Sequence, residues 1–197
     1  MTSTIRLARS NDAGQLLDIY APFIRDNAVS FELDMPTPEE FALRIEQKLD
    51  TYPWLVCEVD GKVVAYAYAG IHATRDAFKW SVDVSLYITE DYRRRGVGRA
   101  LYTSLFACLR LQGYFNAYAG ITMPNAASAG IHEAMGFSYL GAFKDDGYKF
   151  GQWHSVGWWE LPLQERTSPS ALISLPDIAN TPEWRDAIAS GVSLLTL

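Results

Sequence analysis

Four arginines cluster around two glycines in Arg93-Arg94-Arg95-Gly96-Val97-Gly98-Arg99, between a strand pattern at residues 80–88 and a helix pattern at 97–113. A glycine-rich turn that opens a helix presents unpaired main-chain N–H groups and the positive end of the helix dipole. Gly96 and Gly98 lack side chains, so a phosphate can approach the main chain closely. The arginines add fixed positive charge to a chain whose net charge is −6. A solvated basic turn at a helix start would carry the same residues. The turn lacks the Lys-Ser/Thr ending of a nucleoside-triphosphate loop and the three-glycine dinucleotide spacing.

On the preceding strand, Val82, Val84, Leu86 and Ile88 alternate with Asp83, Ser85 and Tyr87. A period of two puts the first set on a core and the second on the opposite face, with Asp83 among polar and aromatic neighbours. Other catalytic patterns fail. His132-Glu133-Ala134-Met135-Gly136 has no second His and is not a zinc-protease helix. There is no Gly-x-Ser-x-Gly elbow, and Cys108 falls on a buried helical stripe away from any His. His132 is read as a packing or hydrogen-bonding residue.

The elements that must position these residues follow from patterning. Residues 4–8 read as an opening strand, followed by a helix capped by Asn11 or Asp12 that carries Leu16, Leu17, Ile19, Tyr20 and Phe23 at helical spacing. Thr37-Pro38-Glu39-Glu40 is a capping box with Pro at the first helical position. Residues 54–59 and 62–69 form a hairpin around Asp60-Gly61. The helix at 97–113 buries Val97, Ala100, Leu101, Leu105, Cys108 and Leu109. A strand at 116–123 follows, then a helix capped by Asn125 and stopped near Gly136, then strands at 138–143 and 156–161. The order β-α-α-β-β-β-α-β-α-β-β is a mixed α/β sandwich in one domain, without the strict alternation of a doubly wound fold. Beyond Pro162 the Ser- and Pro-rich texture changes. Residues 166–197 read as an appended tail, packed on the surface or reaching a neighbouring subunit, with a short helix starting at Thr181-Pro182.

The chain has 197 residues, 49% apolar, 20% charged and 13% aromatic, a globular composition that excludes disordered and disulfide-framework classes. The acidic balance disfavours duplex nucleic acid or an anionic membrane as partner. No apolar stretch reaches the ~18 residues of a span, and the N-terminus has no signal-peptide core. Cys57 and Cys108 lie in apolar runs without metal-ligand spacing, so buried free thiols, no metal and a cytoplasmic location are expected.

Arg93-Arg94-Arg95-Gly96-Val97-Gly98 matches the Gln/Arg-x-x-Gly-x-Gly/Ala acyl-CoA motif of the GNAT N-acetyltransferase superfamily, at the strand-to-helix junction where that family has it. Further segments match: Tyr52-Pro53-Trp54, Tyr66-Ala67-Tyr68-Ala69-Gly70, Leu86-Tyr87-Ile88, Pro124-Asn125, His132-Glu133-Ala134-Met135-Gly136-Phe137 and Gly147-Tyr148-Lys149-Phe150-Gly151-Gln152-Trp153-His154. Together they resemble the phosphinothricin and methionine sulfoximine acetyltransferase branch over residues 5–162. The resemblance implies an acyl-CoA N-acyltransferase fold, a central, mostly antiparallel sheet flanked by helices, with residues 1–165 as the acetyltransferase domain and 166–197 outside it.

The resemblance also implies the site. Main-chain groups of Leu86, Tyr87 and Ile88 would pair with the pantetheine arm of acetyl-CoA. Amides across Arg94, Arg95, Gly96, Val97, Gly98 and Arg99 would hold the pyrophosphate, and Asn125 would bond the cofactor near its far end. The five residue steps from Asp83 to Ile88 span roughly 16 Å, comparable to an extended pantetheine arm. A phosphate at Gly96 thus leaves the thioester near Asp83, the implied general base, where the family usually has Glu. One methylene less favours a water relay over direct abstraction. Arg75, Asp76, Ala77 and Phe78 match the substrate-contacting loop, and a guanidinium there suits a carboxylate or phosphinate. Phe78 and Trp80 either wall a substrate side chain or fold inward, and Phe31 matches a segment that closes over substrate. Tyr102, Tyr118 and Tyr139 are candidate proton donors to the leaving thiolate.

The implied reaction is direct acetyl transfer to the α-amino group of a small amino-acid-like substrate, in a ternary complex, by a homodimer. Acetylation of peptide N-termini, or an acyl-CoA sensor without turnover, would fit the same motifs. An open groove marks the first, and binding without thiol release the second.

Overall fold

A computed structural model describes residues 2–197. Seven strands form one sheet: β1 (Ser3–Leu7), β2 (Trp54–Val59), β3 (Lys62–Ile71), β4 (Ser81–Ile88), β5 (Asn116–Thr122), β6 (Ser138–Lys149) and β7 (Gln152–Pro162). Their order is β1-β2-β3-β4-β5-β7-β6, antiparallel throughout except between β4 and β5. The helices are α1 (Ala13–Arg25), α2 (Pro38–Leu49), α3 (Val97–Gln112), α4 (Ala126–Ala134), α5 (Leu175–Ile178) and α6 (Pro182–Ala189).

The sheet has an apolar core on each face, as strand alternation requires. Val82, Val84, Ala67, Ala117 and Ala119 pack with α3 residues Leu101 and Leu105. Val56, Val63, Tyr66 and Trp54 pack with α1 and α2 through Leu16, Tyr20, Phe41 and Ile45. Asp83, Ser85 and Tyr87 thereby face the α1–α2 layer, opposite Val82 and Val84.

Local signals in the sequence act as expected at several ends. Thr37 and Glu40 form the reciprocal capping box of α2, and Asn125 Oδ1 accepts the Ser128 N–H at the start of α4. Gly113 closes α3 in the left-handed conformation, with φ 96°. Asp12 departs from its predicted role: its side chain caps no helical N–H. It accepts instead from the Arg9 N–H and from the Arg6 guanidinium at 2.7 and 2.9 Å, because a buried carboxylate is best satisfied by a bidentate cation.

Two further expectations are corrected. Strands β6 and β7 run well past the predicted 138–143 and 156–161. Lys144-Asp145-Asp146, just past the expected strand end, forms a bulge between Phe143 and Gly147 within the strand pair. The reversal comes at Phe150-Gly151, with φ 51° and 76°, the two positive values of a primed hairpin turn. The segment after Pro162 is an integral layer: Leu175, Ile178, Trp184 and Ala187 are buried with Cys108, on the side of α3 turned away from the sheet.

Candidate active site

Strands β4 and β5 run parallel but pair only through Ser81 with Asn116, Val82 with Ala117 and Asp83 with Tyr118. Beyond that point β4 continues to Ile88 on β3, and β5 continues to Thr122 on β7. The sheet therefore forks at Asp83. From Val84 to Ile88 the β4 edge facing β5 has no strand partner, and its main-chain groups are open to an extended ligand.

The glycine-rich turn closes the outer end of this fork. Arg94 and Gly96 both take positive φ, 59° and 75°, an alternation that folds successive N–H groups into an anion-binding concavity. Gly98 packs directly on β4: a Cβ there would lie 3.1 Å from Leu86 and 3.2 Å from Ile88. This contact sets the first turn of α3 against the open edge. Arg93, Arg94, Arg95 and Arg99 are exposed, whereas Val97 and Gly98 are buried. Asn125 is half-buried at the start of α4, its side-chain carbonyl engaged in the cap and its amide group outside it.

Asp83 stands at the apex of the fork. The structure places beside it a residue that the sequence did not reveal, His72, whose Nδ1 is 2.6 Å from Asp83 Oδ1. The His72 ring stacks on Tyr118 at 4.2 Å and 16°, and meets Trp158 edge-on at 6.1 Å. Burial pushes the Asp83 carboxyl up from its ordinary value, against the opposing pull of His72 and Lys48. Lys48 reaches across from α2: its Nζ would lie 2.8 Å from a Cβ on Gly70, the β3 partner of Asp83. Burial lowers the Lys48 ammonium, partly offset by Asp83. The sequence held one clue to His72. It lies two residues past Gly70, and the hairpin register sets Gly70 opposite Asp83.

A cavity of about 460 Å³ opens on this side of the sheet, lined by Tyr20, Glu32, Arg44, Lys48, Trp54, Tyr66 and Tyr68 among others. Arg44 pairs with Glu32 at 2.8 Å. The indole N–H groups of Trp54 and Trp158 are buried donors with no acceptor among the described residues. Such a group costs about 1–3 kcal/mol unless something satisfies it. The loop between α1 and α2 roofs this region. Tyr20 bonds Ser30 at 2.6 Å, and the Lys149 ammonium donates to the Ser30 carbonyl at 2.7 Å. Phe31 lies over Gly147, where any side chain would collide with its ring.

Arg75, Asp76, Ala77 and Phe78 occupy an exposed 3-10 turn between β3 and β4. The Phe78 ring lies 6.4 Å from His72, at the rim of the same site, and Arg75 makes no ion pair among the described residues. Trp80 is not a pocket wall: its Nε1 donates to the Ser170 carbonyl at 2.9 Å, so it anchors the C-terminal segment.

The three candidate tyrosines separate. Tyr102 is fully buried, with burial pushing its phenol far up, and its hydroxyl lies 2.8 Å from His132 Nε2. The other His132 nitrogen lies 2.7 Å from the Ser128 carbonyl, so it donates and Nε2 accepts. Burial lowers the His132 imidazole. Both groups are satisfied within the fold, and His132 packs between α3 and α4. Tyr139 is half-exposed on β6. Tyr118 lies at the fork, and its hydroxyl donates to Glu160 at 3.2 Å. No group of His, Cys, Asp and Glu among the described residues is arranged to hold a metal ion.

A family model described as an acetyltransferase (GNAT) domain matches residues 5–158. The phosphinothricin N-acetyltransferase of Streptomyces viridochromogenes is 39% identical over 166 residues, 82% of this chain and 91% of the relative. An L-methionine sulfoximine/L-methionine sulfone acetyltransferase of Salmonella typhimurium is 31% identical over 169 residues, 85% of this chain and 99% of the relative. Among solved structures, a GNAT superfamily phosphinothricin acetyltransferase from Sinorhizobium meliloti in complex with AcCoA matches with a TM-score of 0.81 and 30% identity. That match covers 86% of this chain and 94% of the other.

Proposed function

This chain belongs to the GNAT acetyltransferase family, and from that premise we propose that it acetylates the α-amino group of a small anionic amino-acid analogue such as phosphinothricin or methionine sulfoximine. Acetyl-CoA is the donor. Residues 1–165 form the acetyltransferase domain. The observation that carries the reading is the fork between β4 and β5, with a carboxylate at its apex and an anion-binding turn at its outer end.

The pantetheine arm adds as a strand to the open main chain of Leu86, Tyr87 and Ile88. The pyrophosphate sits on the amides from Arg94 to Arg99, and Asn125 bonds the cofactor. Main-chain N–H groups at the fork polarise the thioester carbonyl. Asp83 promotes loss of the proton from the substrate ammonium, directly or through a relay. With no suitably placed nucleophile, the transfer is direct, in a ternary complex.

The roofed cavity favours a small acceptor over a peptide terminus. Its cations, Lys48 and the Glu32-paired Arg44, with Arg75 on the exposed turn between β3 and β4, suit a carboxylate or phosphinate. The indole N–H of Trp54, on the cavity lining, suits the same anion. Homodimer formation is supported by the exposed aromatic residues of β6, β7 and the turn between them, Tyr139, Phe143, Tyr148, Phe150 and Trp153. The free, buried Cys57 and Cys108 suit a reducing cytoplasm. Acetylation of phosphinothricin would make this a herbicide-resistance enzyme.

Free-thiol release from acetyl-CoA tests the reading, with a panel of amino acids, phosphinothricin and methionine sulfoximine as acceptors. Turnover of the tetrahedral analogues is expected, falling by about 10²-fold or more in Asp83→Asn. Bound acetyl-CoA with no thiol release from any amine would replace the enzyme with a sensor.

A further inference from the structure

His72 follows β3 directly and is held in one orientation by two contacts. Its Nδ1 lies 2.6 Å from Asp83 Oδ1, and its ring face lies on Tyr118. A carboxylate only accepts, so Nδ1 carries the hydrogen, and a ring protonated there alone presents a lone pair at Nε2. That nitrogen has no hydrogen-bond partner among the described residues, although the side chain is only 23% exposed. His132 is the internal contrast, with both nitrogens satisfied inside the fold.

The chemistry of the proton favours the imidazole. The α-ammonium of a free amino acid titrates above neutrality; an ordinary imidazole, at about 6.5, lies nearer to it than an ordinary aspartate, at about 3.9. Proton transfer is most efficient between groups of similar affinity. A lone carboxylate is the poorer match to an ammonium, and an imidazole backed by a carboxylate is the closer one. We propose that His72 Nε2 is the base of this reaction and that Asp83 is the positioning residue that fixes its tautomer and stabilises the imidazolium. This rests on the acetyltransferase reading and deepens it.

In the step so assigned, an N–H bond of the substrate ammonium breaks and its electron pair stays on nitrogen. The proton moves to Nε2, giving an imidazolium paired with Asp83. The freed amine forms a C–N bond at the thioester carbonyl, whose π pair moves to oxygen. Collapse breaks the C–S bond, and its pair leaves on sulfur. The nitrogen loses its second proton, which ends on the sulfur, and the imidazolium returns its proton to solvent. The charged and titratable groups around the pair are Lys48 from α2, Tyr118 from β5, and Glu160 with Arg166 beyond Tyr118.

The test uses the full chain with acetyl-CoA and the best acceptor of the panel. His72→Asn keeps a donor near Asp83 but has no base; His72→Ala leaves room for a small base. Both are expected to lower kcat by about 10²-fold or more while acetyl-CoA affinity, read by calorimetry, stays within about two-fold. Imidazole in the buffer restores turnover to His72→Ala, substituted imidazoles do so in order of their basicity, and neither rescues Asp83→Asn. A kcat within three-fold of wild type in His72→Asn overturns the proposal, as does a loss in His72→Ala that no imidazole repairs. Wild-type chain that binds acetyl-CoA without thiol release removes the acetyltransferase reading and this one with it. Turnover that is indifferent to His72 removes this one alone.

Discussion

The Asp12 carboxylate is nearly buried, and burial alone would raise its affinity for protons. Two bonds from the Arg6 guanidinium and one from the Arg9 N–H outweigh that and hold it below the ordinary carboxylate value. A group whose folded pKa is depressed contributes stability above its unfolded value, near 4, and loses it as pH falls through the folded value. Urea unfolding from pH 6 to pH 3 should therefore show an acid loss of stability that Asp12→Asn flattens, at a cost of about 1–3 kcal/mol at pH 6. An unchanged acid slope would place the effect in other carboxylates. Single residues were legible in proportion to their local pattern. Asp83 stands on the polar side of an alternating strand, and the role given to it came from the family resemblance. His72 was not legible, because a lone histidine beyond a strand end has no period. Its meaning comes from a hairpin register that brings Gly70, which has no side chain, opposite Asp83.

Among the elements, the first turn of α3 is tightly fixed from two sides. Gly98 presses on Leu86 and Ile88, and Gly96 combines φ 75° with a close approach to the Leu194 carbonyl, which a Cβ would strike. Gly96→Ala is expected to lower stability by about 1–3 kcal/mol and to raise the KM for acetyl-CoA at least ten-fold. Thermal unfolding and initial rates check this. An unaltered KM would place the pyrophosphate away from this turn. The glycine motif was readable because left-handed turns and helix starts have local signatures. The lengths of β6 and β7 were not, since Lys144-Asp145-Asp146 has the composition of a turn. Strand pairing across a bulge is a long-range outcome.

At the scale of the whole molecule, the Ser- and Pro-rich segment beyond Pro162 misleads by composition. Its apolar residues are interspersed with Ser and Pro, yet Trp184, at 1% exposure, and Leu175, at 3%, insert against Cys108. Ser104 Oγ donates to the Ile188 carbonyl at 2.6 Å, and Gln112 donates to the carbonyls of Thr51 and Ile173. The Cys108 stripe was correctly read as buried; what buries it lies some 75 residues away in sequence and is set by tertiary packing.

That segment ends against the glycine-rich turn. The Thr196 N–H donates to the Arg95 carbonyl at 3.1 Å, so the short stretch of backbone proposed to hold acetyl-CoA also docks the C-terminal segment. Linkage makes such sharing reciprocal: the factor by which the docked segment tightens acetyl-CoA is the factor by which acetyl-CoA tightens the docked segment. Saturating acetyl-CoA should slow amide hydrogen exchange in α6. Loosening the segment by Trp184→Ala should weaken acetyl-CoA binding by the same ratio. Exchange in α6 that ignores the cofactor would mean the two roles of the turn are independent. Equal ratios would make the C-terminal segment a remote control on donor affinity, reached without touching the acceptor site.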